Sequence, residues 1–277
     1  MEPLVIIRAL ILLGVSDDSP TEIPRAIRAA PIMTKPSRQG HAKNSLLWFV
    51  CAILSFWMAL SAAWWLSSRI EYGYPAWYRL LAIDEHIARY APHHPDKPGF
   101  ARLDAAGHRQ AFASITAAVH GRGVALESIR YQPPGHPALP LLDDDEVRHL
   151  RDVARLLRLA GSATLAALPL WLLGMWWLSR QPLPSLRQRA LTVMAVSATG
   201  LAVLLLVGPK ALFYQFHVWL FPPENPWFFY WEESLMSTLM KAPYLFGAIA
   251  VQIVVLAVLL VVPIHWLGNR FGRLLRR

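Results

Sequence analysis

Four apolar runs divide the chain, at residues 45–67, 156–178, 190–207 and 247–267. Each is close to the ~20 residues that an α-helix needs to cross a bilayer. Between the first two runs, residues 68–142 are polar but keep an apolar period. Trp77, Leu80, Leu81, Ile83 and Ile87 predict an amphipathic helix over 75–91. A second is predicted over 100–119, followed by a proline-rich loop at 133–140. Asp143 with Glu146 three residues on has the pattern of a helix N-cap and its acidic N3 partner. That helix runs on into the second apolar run, with a kink expected at Pro169. After the third run, Gly208-Pro209 interrupts the helix, and helical character resumes over 211–221.

The expected architecture is an all-α integral membrane protein with four transmembrane helices. A helical extracytoplasmic region, 68–155, lies between helices 1 and 2. An aromatic-rich outer loop, 211–246, lies between helices 3 and 4. Together these make a membrane domain over 45–270, preceded by a basic N-terminal segment, 1–44, and followed by a basic tail, 271–277. The apolar stretch at 3–15 is too short to span and is interrupted by Arg8. Residues 1–32 are expected to be disordered or peripheral, and Met33 is an alternative start. Four spans put both termini on one side. Lys35, Arg38 and Lys43, the link at 179–189 with Arg180, Arg187 and Arg189, and the basic tail mark that side as cytoplasmic.

Composition agrees with a membrane protein. The chain is 55% hydrophobic and only 16% charged, and it has 12 tryptophans. A net charge of +9 in such a chain serves topology and anionic lipid, not nucleic acid. Cys51 is the one cysteine, so an intrachain disulfide and a thiolate zinc site are both excluded. Serine-nucleophile, zinc-protease and phosphate-loop motifs are absent.

Two stretches carry candidate chemistry. The first is 143–153, DDDEVRHLRDV, where His149 and Asp152 are helical neighbours; either the carboxylate orients the ring, or His149 is an interfacial histidine in a capped helix. Arg148, Arg151, Arg155 and Arg158 form a basic stripe suited to lipid phosphates or to snorkelling at a helix end. The second is 216–231, FHVWLFPPENPWFFYW. His217 shares a helical face with Phe213, Leu220 and Phe221, with Tyr214 one turn back. Desolvation there keeps the imidazole neutral, as a general base requires, or the ring is a satisfied hydrogen-bonding group. Trp219, Trp227, Tyr230 and Trp231 suit an acyl-chain groove or an aromatic belt. Glu224, Glu232 and Glu233 read as solvated carboxylates, and His93-His94-x-Asp96, between prolines, as a hydrated turn and not a metal cage. No metal and no cofactor is expected.

Glu146-x-x-His149-Leu150-x-Asp152-Val153 resembles a motif of the lipoprotein intramolecular transacylases. Phe216-His217-x-x-x-Phe221, Trp227-x-Phe229 and Leu239-x-x-x-Pro243-x-x-Phe246 resemble that family's second block. Pro222-Pro223 and Lys241 depart from it. The resemblance implies a four-helix enzyme of the bacterial cytoplasmic membrane with an outward-facing site. It implies transfer of the sn-2 acyl chain of a diacylglyceryl-modified lipoprotein to the α-amine of its cysteine. His149 and His217 would be catalytic, with Asp152 beside His149. Tyr214, Trp219, Phe221, Trp227 and Arg148 are the candidate substrate-binding residues, and membrane lipid is a further partner. Two other readings are a non-catalytic scaffold that binds lipid or protein through the aromatic loop, and a metal-dependent hydrolase using His149, Asp152 and His217.

Overall fold

The computed structural model describes residues 38–275. The reading of residues 1–32 therefore lies outside the described residues. Four helices are long and apolar enough to cross a membrane: α1 (Arg38–Arg69), α5 (Asp144–Leu178), α6 (Leu186–Val207) and α9 (Tyr244–Leu274). The shortest, α6, has 22 residues; at 1.5 Å per residue it is about 33 Å long, enough for the hydrocarbon core. All four extend beyond the apolar runs, because polar caps and basic ends prolong a helix into water. In α6 the Ser185 side chain accepts from the Gln188 amide, which starts the helix four residues before the apolar run. Pro169 does not break α5, which is helical from end to end.

α9 lies against α5 through two glycines one turn apart. A Cβ on Gly268 would stand 2.7 Å from the Trp171 ring, and one on Gly272 would stand 2.7 Å from the Met175 carbonyl oxygen. Small residues at this spacing let two membrane helices approach closely. Next to this crossing, Ser55 of α1 joins three helices. Its hydroxyl meets His265 Nδ1 at 2.9 Å, accepts from Trp171 Nε1 at 2.9 Å and donates to the Cys51 carbonyl at 2.7 Å. A polar group inside a bilayer is costly when unpaired, and here each finds a partner. By contrast, α6 has no buried residue, so it is a helix apolar enough to meet lipid all round.

A polar domain fills the connection between α1 and α5. The amphipathic helix expected over 75–91 is broken in two, α2 (Tyr74–Leu80) and α3 (Ile83–Tyr90). The break is at Ala82, which takes a left-handed φ of 46°. There Lys241 donates to the Leu81 carbonyl at 2.6 Å, so that oxygen does not continue the helix. The next helix, α4 (Ala105–Val119), starts later than its apolar period, at the Asp104 cap, which accepts from the Gly107 amide. The loop expected at 133–140 ends in a strand: β1 (Arg130–Tyr131) pairs antiparallel with β2 (Leu139–Pro140). Inside, Tyr74 stacks on Phe112 at 4.1 Å. His108 Nε2 donates to the Phe100 carbonyl at 3.0 Å, which leaves Nδ1 to accept from the Tyr78 hydroxyl at 2.8 Å.

The connection between α6 and α9 holds α7 (Pro209–Leu220), an aromatic turn and α8 (Leu235–Leu239). Gly208, at φ 82°, makes the bend between α6 and α7. This connection is fastened to the polar domain at two of its backbone carbonyls, and a third bond braces it internally. Tyr74 donates to Leu239 at 3.0 Å, His94 Nε2 to Trp231 at 3.0 Å, and within the connection Trp231 Nε1 to Ala242 at 2.8 Å. His94 is thus buried and engaged, which corrects the reading of both His93 and His94 as a hydrated turn; His93 alone is exposed.

Candidate active site

The site is built where the start of α5 meets the aromatic connection. Glu146 is the joint. It sits three residues past the cap, so its Oε2 accepts from the Asp143 amide at 2.8 Å. The same carboxylate is buried, and Oε1 accepts from Ser234 Oγ at 2.6 Å and from the Met236 amide at 3.1 Å. One side chain therefore ends the N-terminus of one helix and begins another, α8. Reading it as a cap finds only half of this, because the partner is ninety residues away in sequence.

His149 follows one turn on, and its face meets the second motif block. The rings of His149 and His217 lie 6.4 Å apart at 24° between planes. Phe221 packs on both, at 4.8 Å from His149 and 5.2 Å from His217. Phe229 closes against His149 at 5.8 Å, and Phe213 and Trp227 against His217 at 4.1 and 4.9 Å. No hydrogen bond joins the two imidazoles, and the buried Nδ1 of His149 has no hydrogen-bond partner. His217 Nδ1 lies 2.7 Å from the Phe213 carbonyl oxygen. A carbonyl only accepts, so Nδ1 carries the proton and Nε2 keeps its lone pair when the ring is neutral. Burial among aromatics holds the His217 pKa below the usual histidine range, and the Phe213 bond opposes this in part.

Asp152 is buried, but it does not hydrogen-bond His149. Oδ1 accepts from Arg155 at 2.9 Å and Oδ2 from Asn225 at 2.5 Å. The expected orienting contact is absent because i,i+3 spacing brings the groups to one face without turning the carboxylate toward the ring. What Asp152 holds is the turn between Pro223 and Pro226. Asn225 has no signal in the sequence beyond lying among prolines.

The other candidates separate. Trp227 touches His217, and Tyr214 reaches the site through Trp227 at 5.5 Å. Trp219 is 76% exposed and makes no ring contact with either histidine. Arg148 is exposed and pairs with Asp145. The basic stripe is mostly taken: Arg151 pairs with Glu127 at 3.1 Å and Arg155 with Asp152 at 2.9 Å. Glu224, Glu232 and Glu233 are exposed, as expected. Among the described residues no three His, Cys, Asp or Glu side chains converge to hold a metal ion.

Residues 136–244, which contain both histidine blocks, match the family model described as lipoprotein intramolecular transacylase Lit. The resemblance read from the two motifs holds over that stretch. No curated protein matches the chain. The fold is similar to the in meso structure of the membrane integral lipoprotein intramolecular transacylase Lit from Bacillus cereus, a histidine-to-arginine variant. The TM-score is 0.50 at 16% identity, covering 86% of this chain and 95% of that one.

Proposed function

We propose that this chain is a lipoprotein intramolecular transacylase. It would move the sn-2 acyl chain of a diacylglyceryl-cysteine to the α-amine of the same cysteine, on the outer side of the bacterial cytoplasmic membrane. The observation that supports this best is the meeting of His149 and His217 on Phe221, from two stretches of the family match.

The chemistry needs no enzyme nucleophile. The substrate amine attacks the sn-2 ester carbonyl carbon, and the shared glyceryl-cysteine supplies proximity. An amide C–N bond forms, the glyceryl C–O bond breaks, and one proton passes from nitrogen to the glyceryl oxygen. His217, with its Nε2 lone pair free, takes the proton from the amine. His149 donates a hydrogen bond to the ester oxygen as negative charge develops there, and the proton held by His217 passes to the departing glyceryl oxygen, which leaves both rings neutral again. Phe221, Trp227 and Phe229 exclude water around both rings, which suits an acyl transfer that competes with hydrolysis.

Mass spectrometry of a lipoprotein N-terminus, from cells with and without this chain, tests the reading. The expected result is an N-acyl lyso form only when the chain is present. Identical lipoprotein termini in both cell lines would overturn it.

A further inference from the structure

A cavity of about 460 Å³ lies apart from the histidine pair, walled by His86, Arg89, Tyr90, Trp231, Lys241 and Tyr244. Its size suits a small ligand or headgroup. His86 is 6% exposed, and its buried Nε2 has no hydrogen-bond partner. Arg89 is exposed and, among the described residues, makes no ion pair. Lys241 spends one donor on the Leu81 carbonyl and keeps two. Glu85 is the acidic group on the wall, and Glu232 stands near His86. Burial, Lys241 and Arg89 push the His86 pKa down to about 4, so the ring is neutral at pH 7. Two wall residues, Ala82 and Lys241, hold left-handed backbones at φ 46° and 41°. Backbone strain of this kind is retained where surrounding structure fixes it, often around a ligand.

The cavity stands at the level where α9 leaves the polar domain. Tyr244, on its wall, is the first residue of α9. From α2, Trp77 Nε1 donates to Gln252 at 2.9 Å. Gln252 is about 12 Å further along α9 at the helical rise per residue. α2 therefore runs beside α9, and the cavity opens at the N-terminal end of that apolar helix. Leu80, 73% exposed at the end of α2, adds an apolar edge there.

We propose that this cavity binds the headgroup of a membrane glycerophospholipid, with the phosphodiester between Arg89 and Lys241 and the acyl chains passing Tyr244 into the bilayer. The two cations supply charge-assisted donors to phosphate oxygens. A diacylglyceryl-cysteine carries no phosphate, so the ligand here is not the substrate proposed above.

The test is native mass spectrometry of the full chain in detergent, titrated with phosphatidylglycerol, with the matching diacylglycerol, and with glycerol 3-phosphate. Phosphatidylglycerol should bind at least about tenfold more tightly than diacylglycerol, as expected for charge-assisted phosphate contacts. Arg89→Gln should weaken it by about as much. Arg89 is exposed, so this variant reports on the ligand and not the fold; Lys241→Gln is the second variant, and Arg130→Gln, in β1, should bind as the native chain does. Equal binding of phosphatidylglycerol and diacylglycerol, or native binding by Arg89→Gln and Lys241→Gln, overturns the proposal. Glycerol 3-phosphate binding as tightly as the lipid would make the ligand a soluble phosphate ester and overturn the lipid assignment.

Discussion

Asn225 donates to Asp152 Oδ2 at 2.5 Å, which ties the proline-rich turn after α7 to the helical turn that carries His149. Phe221, four residues before Asn225, packs on both histidine rings. The Asp152 carboxylate therefore ties the second block to α5 through Asn225 and makes no hydrogen bond to the imidazole; under the proposed function it is a positioning group. Asp152→Asn turns an amide toward Asn225 or Arg155 and loses one charge-assisted bond. A bond of that kind contributes about 1.5–3 kcal/mol, so transacylation should fall about tenfold to a hundredfold. The exchanged pair, Asp152→Asn with Asn225→Asp, restores a donor opposite an acceptor and should recover part of the loss. Initial rates on a diacylglyceryl lipopeptide check this; no recovery in the exchanged pair argues against the positioning role.

The histidine pair makes a sharper expectation. Under the proposed mechanism His149 and His217 act on the same transition state, one on the developing oxyanion and one on the proton. Either change to alanine should remove nearly all product, and the double change should cost little more, because residues acting as a unit are not additive. His93→Ala, at an exposed ring bonded only to the nearby Tyr90 carbonyl, should be close to neutral. A folded His217→Ala chain with near-full activity would falsify the assignment.

The parts that could be read from the chain are those with local causes. Four apolar runs mark four membrane helices, and the cap at Asp143 marks the start of α5. The histidine blocks were visible because motif spacing is local too. What lay beyond reading is contact across the chain. Nothing near Ala82 announces that Lys241 will take the Leu81 carbonyl and split a predicted helix. Nothing near Asp152 announces Asn225, and the role of His94 depends on the Trp231 carbonyl. Gly268 and Gly272 do have the small-residue spacing, but it becomes informative only once α5 is known to cross there.

The pH profile follows from the state of His217. Its pKa is held below the usual histidine value by desolvation. The base is active when neutral, so the rate falls as pH falls through that pKa. The limb that belongs to His217 should lie below about pH 6.5, the ordinary histidine value, apart from any limb near pH 8 at which the substrate α-amine loses its own proton. A profile with no limb below about pH 6.5 would place the titrating base elsewhere. Assaying the lipopeptide reaction from pH 4.5 to 8, on protein shown by circular dichroism to stay folded, separates the two.

The crossing of α5 and α9 gives a test of the membrane part alone. A side chain at Gly272 meets backbone, which cannot turn away as a side chain can. Gly272→Val should lower stability by about 1–3 kcal/mol, the range for overpacking. Gly200→Val, in α6, meets nothing within 4 Å and should be near neutral. Thermal unfolding in one detergent compares them, and equal midpoints would mean that the helices do not cross at this distance.

Glu146 decides whether the two blocks hold together. Its carboxylate serves three donors: Ser234 Oγ and the amides of Met236 and Asp143. Glu146→Ala leaves all three without this acceptor, and two of them, Ser234 Oγ and the Met236 amide, are buried, at a cost of about 3 kcal/mol or more. Glu146→Gln keeps one acceptor oxygen, so it can serve α8 or the α5 cap but not both, and its loss should be intermediate. Unfolding midpoints should therefore rank native, Glu146→Gln, Glu146→Ala. Because Glu146 has no hydrogen bond or ring contact to either histidine, a folded Glu146→Gln chain at low temperature should keep the acid limb of the rate where the native chain has it. A displaced limb in that variant would mean that Glu146 takes part in the proton transfer, and the path would then run through the joint between the two blocks and not only through the rings packed on Phe221.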